Sequence, residues 1–370
     1  MEEVGKSDES SPFMEVITTT ATAMNTIYPL AKLPLDFARI LKSLLVFSTL
    51  GVAFLVLYYA SSNNYGEFLP TLGRFSFTVY DVNGTIKDEY YELRKVLEAA
   101  STKEKTVILT SLNEAWAEPN SMFDIFLKSF RVGNNTAPLV DHLLAIAVDE
   151  KAYLRCKKLI SHCYFLKTKQ SSQMANEARF MTPIYLNMMW ERLAFLQTVL
   201  KLGYNFIFTD TDVMWFRNPI PHFTPSSDFQ TSCDRFNGNQ FDIRNPPNNG
   251  FLFVRSNKRT IKFYKFWVSS RQTYPSLHEQ DVFNRIKNGT YVRKLGVKFR
   301  FLDTNYFGGF CQKSRDFNKV CTMHANCCTG LDRKIADLNT TLEVWKTYLS
   351  SNNYTSPQPS NWMVPKQCHM

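Results

Sequence analysis

Phe206–Pro219 reads FIFTDTDVMWFRNP, an apolar run that stops at two carboxylates, Asp210 and Asp212, with one residue between them. A nearly all-apolar run of this length, introduced by Tyr204 and Asn205, has the composition of a central strand covered on both faces. Two like charges where such a strand runs out repel each other, and a divalent cation is the first candidate to hold them. A hard cation bound by a few carboxylates keeps coordination sites free for phosphate oxygens. The plainer reading is an Asx turn at Asp210 beside a solvated Asp212.

Working outward, the run is preceded by PIYLNMMWERLAFLQTVLKLGY (Pro183–Tyr204). Tyr185, Met189, Leu193, Leu196 and Leu200 form one helical stripe in it, and Gly203 stands at the C′ position. Trp190 and Arg192 read as packing and surface positions on this amphipathic helix. Upstream, TVILTSLN (Thr106–Asn113) and HLLAIAVDE (His142–Glu150) are further strand-like runs ending in polar residues, with SMFDIFLKSF between them at helical spacing. KDEYYELRKVLEAAS (Lys87–Ser101) reads as a helix through Tyr90, Leu93, Val96 and Leu97. Alternation of strand and helix predicts an α/β fold with a mainly parallel sheet flanked by helices. Ligands of such sheets bind at the carboxyl ends of the strands, where Ser111, Asn113, Asp149, Asp210 and Asp212 fall.

The chain has 370 residues, 44% of them hydrophobic, enough for one large or two ordinary domains with cores. A formal net charge of +10 favours anionic partners such as nucleotides, acidic polysaccharide or a membrane surface. Lys and Arg are scattered, with no basic block of the kind nucleic-acid binding needs. Ser43–Ala60 is an uncharged apolar stretch preceded by Lys32, Arg39 and Lys42, and the next basic residue is Arg74. Its length is at the short end for a bilayer span, and the positive-inside rule places the N-terminus in the cytosol. The expected organisation is a cytosolic tail (1–38), an uncleaved transmembrane signal anchor (39–60), a stem (61–85), a luminal domain (86–350) and a surface C-terminal tail (351–370). Sequons at Asn83, Asn134, Asn288, Asn339 and Asn353 all follow the anchor, as do all eight cysteines. In an oxidising lumen these cysteines read as disulfides whose pairing the sequence leaves open. The rival, zinc held by Cys311, Cys321, His324 and Cys327, has a spacing unlike common zinc sites.

These residues also carry a family resemblance. AVDEKAYLRC, GYNFIFTDTDVMWFRNP, NNGFLFVRSN, HEQDVFN, LDTNYFGGFC and HANCCTGLDRK occur in this order between Thr106 and Leu342. Together they resemble the plant nucleotide-diphospho-sugar transferase domain of glycosyltransferase family 77, with the GT-A fold, a Rossmann-type sheet. The resemblance implies a retaining, metal-dependent transfer from a UDP-sugar by a type II, single-pass Golgi membrane protein. Xylose, arabinose or galactose is the implied sugar, and a cell-wall polysaccharide or glycoprotein the implied acceptor.

By the same resemblance Asp212 is the direct metal ligand, Asp210 binds metal or ribose, and His324 is the third protein ligand. An imidazole beside carboxylates tilts preference from Mg2+ toward Mn2+. Gly330 and Lys334 follow His324 at a wider spacing than in related retaining enzymes, and Lys334 would offset charge on the leaving diphosphate. Thr110, Ser111 and Asn113 resemble the strand end that holds uracil and ribose, although strand capping explains them equally well. Gly250 allows close approach to the sugar, and Asn248 and Asn249 either bond its hydroxyls or shape the turn. Asp281 is the candidate nucleophile and Gln280 the candidate to stabilise positive charge on the ring, unless Asp281 merely caps its helix. Two other classes compete. A D-x-D phosphatase lacks the residue type expected at Met214, and a luminal sugar-binding scaffold would share the fold without turnover.

Overall fold

The computed structural model describes residues 90–167, 179–350 and 362–369. All of them lie in the compact unit Val79–Met370. The cytosolic tail, signal anchor and stem expected over 1–85 lie outside the described residues, as do Asn83 and Asn353. Among the described residues no helix is long and apolar enough to cross a membrane.

Seven strands form the main sheet: β1 (Thr106–Leu112), β2 (Leu143–Ala147), β3 (His162–Phe165), β4 (Asn205–Thr209), β6 (Phe229–Cys233), β7 (Pro247–Val254) and β8 (Phe299–Phe301). Their order is β3-β2-β1-β4-β7-β6-β8. Neighbouring pairs are parallel except where β7 meets β4 and β6. This is the mainly parallel α/β sheet expected, with one reversed strand in it. The reversal has a consequence for the site, because the start of β7 lies at the same edge as the end of β4, with Thr209 opposite Phe251. A smaller sheet joins β5 (Val213–Trp215), β9 (Phe307–Gly309) and β10 (Thr322–His324) in the order β5-β10-β9.

Alternation along the strands divides the apolar side chains between two faces. Ile108, Ala145, Ile207 and Phe251 pack on one face with α3 (Met122–Val132), α4 (Glu150–Leu159) and α9 (Leu331–Ser350). Val107, Leu109, Phe206 and Phe208 pack on the other with α1 (Tyr91–Ala100), α5 (Pro183–Lys201), α6 (Lys258–Ser269) and α7 (Glu279–Ile286). Because the sheet is covered on both sides, its central strands carry no polar face, and this is why periodicity is so weak in FIFT. Short helices α2 (Glu114–Ala117) and α8 (Thr290–Leu295) complete the set.

Three sequence expectations change. The helix of Pro183–Lys201 is buried nearly all round rather than along one stripe, with Trp190, Arg192 and Gln197 interior, because it lies between the sheet and α6. The cysteines do not all pair: Cys156–Cys163, Cys311–Cys327 and Cys328–Cys368 are disulfides, while Cys233 and Cys321 are buried thiols. With Cys311 bonded to Cys327, the four-residue zinc set is excluded. The C-terminal residues are not a surface tail throughout. Trp362 and Val364 are buried, and the Trp362 ring stacks on Phe317 at 4.2 Å. The buried Asp337 carboxylate accepts the backbone N–H groups of Lys366, Gln367 and Cys368.

Candidate functional site

The chain turns sharply where β4 ends. The Asp210 N–H donates to the Gly250 carbonyl at 2.7 Å, and the Val213 N–H donates back to the Asp210 carbonyl at 3.2 Å. Asp210 and Asp212 therefore stand side by side at the carboxyl edge of the sheet. β5 then pairs antiparallel with β10, setting Val213 opposite His324. A histidine distant in sequence thus reaches Asp212, with Nε2 3.2 Å from Oδ1. The other Asp212 oxygen accepts from Lys334 Nζ at 2.6 Å. One oxygen or nitrogen from each of Asp210, Asp212 and His324 lies within 4.8 Å of the others.

Electrostatics explain how the cluster survives burial. Burial alone would raise Asp212, but Lys334 and His324 outweigh it and hold this carboxyl far below the usual range. Burial likewise raises Asp210, and here the neighbouring Arg192 does not cancel it, so the group stays above its ordinary value. His324 is pushed down by burial, yet Asp212 more than compensates and the imidazole pKa rises.

The residues fit a divalent cation. His324 Nδ1 is enclosed and has no hydrogen-bond partner among the described residues, while its Nε2 faces the carboxylates. Two carboxylates and an imidazole are the donor set that a manganese-like ion accepts. Gly250 makes the approach possible: a Cβ built there would lie 2.3 Å from His324 Cε1 and 2.7 Å from Asp210 Oδ2. No side chain larger than hydrogen leaves room for both.

A cleft of about 310 Å3 opens above this cluster. Of the residues named from sequence, Ser111, Asn113, Asp210, Asp212, Asn248, Gly250, Gln280, His324 and Lys334 line it. Asn113 also caps α2, accepting from the Trp116 N–H at 3.2 Å. Four candidates lie elsewhere. Thr110 is fully buried within β1, and its hydroxyl is enclosed. Asn249 points away from the cleft because β7 already begins at Pro247 and alternates from there; its backbone N–H donates to Gln280 Oε1 at 2.8 Å. Gly330 is not a wall of the cleft but the left-handed residue (φ 93°) that opens α9. Asp281 is exposed on α7, and the cap of that helix is His278.

Sequence reasoning missed the polar network beneath the cleft. Arg192, read as a packing or surface residue, is buried and donates to Asp210 at 2.8 Å and to Glu279 at 2.9 Å. Its guanidinium also lies over the Phe208 ring at 4.7 Å. Glu279 is 2% exposed, and its carboxyl is held down at about 2: burial opposes this, and His278 and Arg192 overcome it. His278 in turn meets the Tyr185 hydroxyl at 3.1 Å. On the far wall Asp234 accepts from Asn248 at 2.7 Å and from Asn326 at 2.9 Å. The available signal was an arginine on a helix destined to be covered by a sheet, since a buried cation requires anionic partners.

A family model described as nucleotide-diphospho-sugar transferase matches residues 138–338. An uncharacterized Arabidopsis thaliana protein is 50% identical over 283 residues, which is 76% of this chain and 75% of that one. A UDP-galactose:fucoside alpha-3-galactosyltransferase of Dictyostelium discoideum is 41% identical over 159 residues, 36% of this chain and 24% of that one. A beta-arabinofuranosyltransferase of Arabidopsis thaliana is 26% identical over 198 residues, covering 52% and 35% of the two chains. The matched segment runs from the 3-10 turn before β2 to α9 and contains Asp210, Asp212, His324 and Lys334. With a mainly parallel α/β sheet carrying that cluster at its carboxyl edge, the chain belongs to the nucleotide-diphospho-sugar transferase family and is a glycosyltransferase.

Proposed function

We propose that the protein moves a pentose or galactose from a UDP-sugar to a cell-wall polysaccharide or glycoprotein, with retention of configuration and dependence on manganese. The observation that carries this reading is the convergence of Asp210, Asp212 and His324 at the base of a cleft that Lys334 also lines. Asp210, Asp212 and His324 would hold the ion, which supplies Lewis-acid neutralisation of the leaving diphosphate. Lys334 adds a second positive charge at the same place, and it is already desolvated enough to act at short range. Ser111, near the end of β1, and Asn113, just past it, would contact the nucleoside. The galactosyl and arabinofuranosyl activities named for the two relatives support the donor class without selecting its member.

For retention the arrangement favours attack from the leaving-group side. The carboxylates lining the cleft are Asp210, Asp212 and Asp234, among the described residues. The first two are committed to the cation and the third to Asn248 and Asn326. Asp281 is exposed, and Glu279 is held by Arg192 and His278. A covalent intermediate needs an uncommitted carboxylate beneath the anomeric carbon. Gln280, at the cleft wall, supplies an amide dipole instead of a nucleophile.

The same reading places the protein in the Golgi membrane, single-pass and type II, with the three disulfides in accord with an oxidising lumen. Incubation with a panel of UDP-sugars, with and without manganese, tests the activity. Manganese-dependent UDP release from one donor, absent in Asp212→Ala, is expected. Folded protein that neither binds UDP nor turns over any donor would reduce it to a sugar-binding scaffold.

A further inference from the structure

Asp234 closes one wall of the donor cleft, and two residues along the same loop Phe236 lines a second hollow. That hollow has a volume of about 710 Å3, within the range of small-molecule sites. The two backbone positions are separated by no more than about 7 Å, so the two spaces border the same short segment of chain. The partition is braced, because the Phe236 N–H donates to Gln312 Oε1 at 2.6 Å and Asp234 holds Asn248 and Asn326.

The chemistry of the walls is specific. Phe241 is a large ring left 62% exposed at the rim. In the same hollow the rings of Tyr306 and His222 lie 4.5 Å apart. Arg300 is the cation of this hollow and Asp303 its anion, so the formal charges cancel. The Arg300 guanidinium is already engaged by Gln240, Gln230 and the His222 carbonyl. These partners are neutral, so the guanidinium keeps its charge, and Asp303 in the same hollow is the anion that balances it. Apolar ring faces edged by amides and one carboxylate suit a ligand with apolar C–H faces and hydroxyls around its rim.

We propose that this hollow is an acceptor subsite that holds a neutral glycan chain while its growing end lies in the donor cleft. The proposal rests on the transferase reading above and adds the substrate class to it. It also explains why the loop between β6 and β7 has aromatic side chains on one side and donor-site carboxylate on the other.

The test is calorimetric titration of the full chain with neutral tetrasaccharides of xylose, arabinose, galactose and glucose, and with tetragalacturonide. UDP affinity is measured in parallel on every sample. The expected result is binding of at least one neutral tetrasaccharide, weakened roughly tenfold by Phe241→Ala and by Asp303→Asn, with UDP affinity unchanged. Both positions lie away from the cation cluster, and Phe241 is exposed enough that its removal leaves the core intact. Absence of binding by every neutral tetrasaccharide up to about 10 mM overturns the subsite, this being beyond the weakest useful affinity. So does binding that neither substitution alters, and so does binding of tetragalacturonide alone. Failure of the wild-type protein to bind UDP strikes the transferase reading instead, and is read from the separate UDP titration.

Discussion

Arg192 joins Asp210 to Glu279 through one guanidinium, with Nη1 at 2.8 Å from the first carboxylate and Nη2 at 2.9 Å from the second. The cation thus ties the D-x-D turn to α7, the two elements that frame the cleft. Removing one partner of such a buried network leaves the others charged and unpaired, at a cost of about 3–5 kcal/mol. Arg192→Ala should therefore lower the denaturation midpoint and abolish donor turnover, whereas Glu279→Gln, which leaves no stranded charge, should destabilise less. Denaturant unfolding of both variants checks the order, and equal destabilisation would contradict it.

Gly250 faces His324 and Asp210 more closely than any Cβ permits. Gly250→Ala should leave the fold standing and weaken manganese binding at least about tenfold, the scale on which displaced supporting groups act at metal sites. Manganese titration followed by electron paramagnetic resonance reads this directly. Unchanged affinity would show that the three side chains do not converge on one ion.

Much of this was legible in advance. A run such as FIFT followed by D-x-D announces a buried strand and its functional end, and Asp210, Asp212, His324 and Lys334 all meet in the cleft. What could not be read is the reversal of β7, since pairing direction leaves no trace in side-chain alternation. Nor could the start of β7 at Pro247 be read, and that start decides that Asn248, not Asn249, faces the cleft. Arg192 was misjudged because its helix is covered on more than one side, a tertiary fact invisible to helical periodicity. Asp281 looked the more prominent carboxylate of HEQDVFN, but burial selects its neighbour Glu279. The disulfide pairing likewise depends on how the C-terminal residues return to α9.

Lys287 carries a pH signature. It is 6% exposed, donates to the Asn245 carbonyl at 2.6 Å, and burial pushes its ammonium from 10.5 down to about 8. The folded protein thus releases this proton before the unfolded chain does. Between about pH 8 and pH 10 the unfolded state binds more protons, so this group's contribution to stability rises with pH. Below pH 8 the cost of the buried charge is present in full. The stability of the wild type relative to Lys287→Met should accordingly increase across that window, measured by urea unfolding of both at each pH. A constant difference would refute the assignment.

The Cys328–Cys368 disulfide closes a sequence separation of 40 and anchors the segment that carries Trp362. Loop-closure entropy puts its contribution at roughly 4 kcal/mol. Cys368→Ser should lower the thermal midpoint by several degrees, more than loss of Cys156–Cys163, whose separation is 7. Comparing Cys368→Ser with Cys163→Ser by calorimetry checks the order, which would be reversed if native-state packing rather than chain entropy dominated.

The central claim is that Asp210, Asp212 and His324 hold a cation that carries a nucleotide diphosphate. Calorimetric titration of UDP into the protein, with manganese and with chelator, tests it most directly. The account predicts binding that appears with manganese and disappears in chelator and in Asp212→Asn. UDP binding of equal strength in all three samples would contradict it.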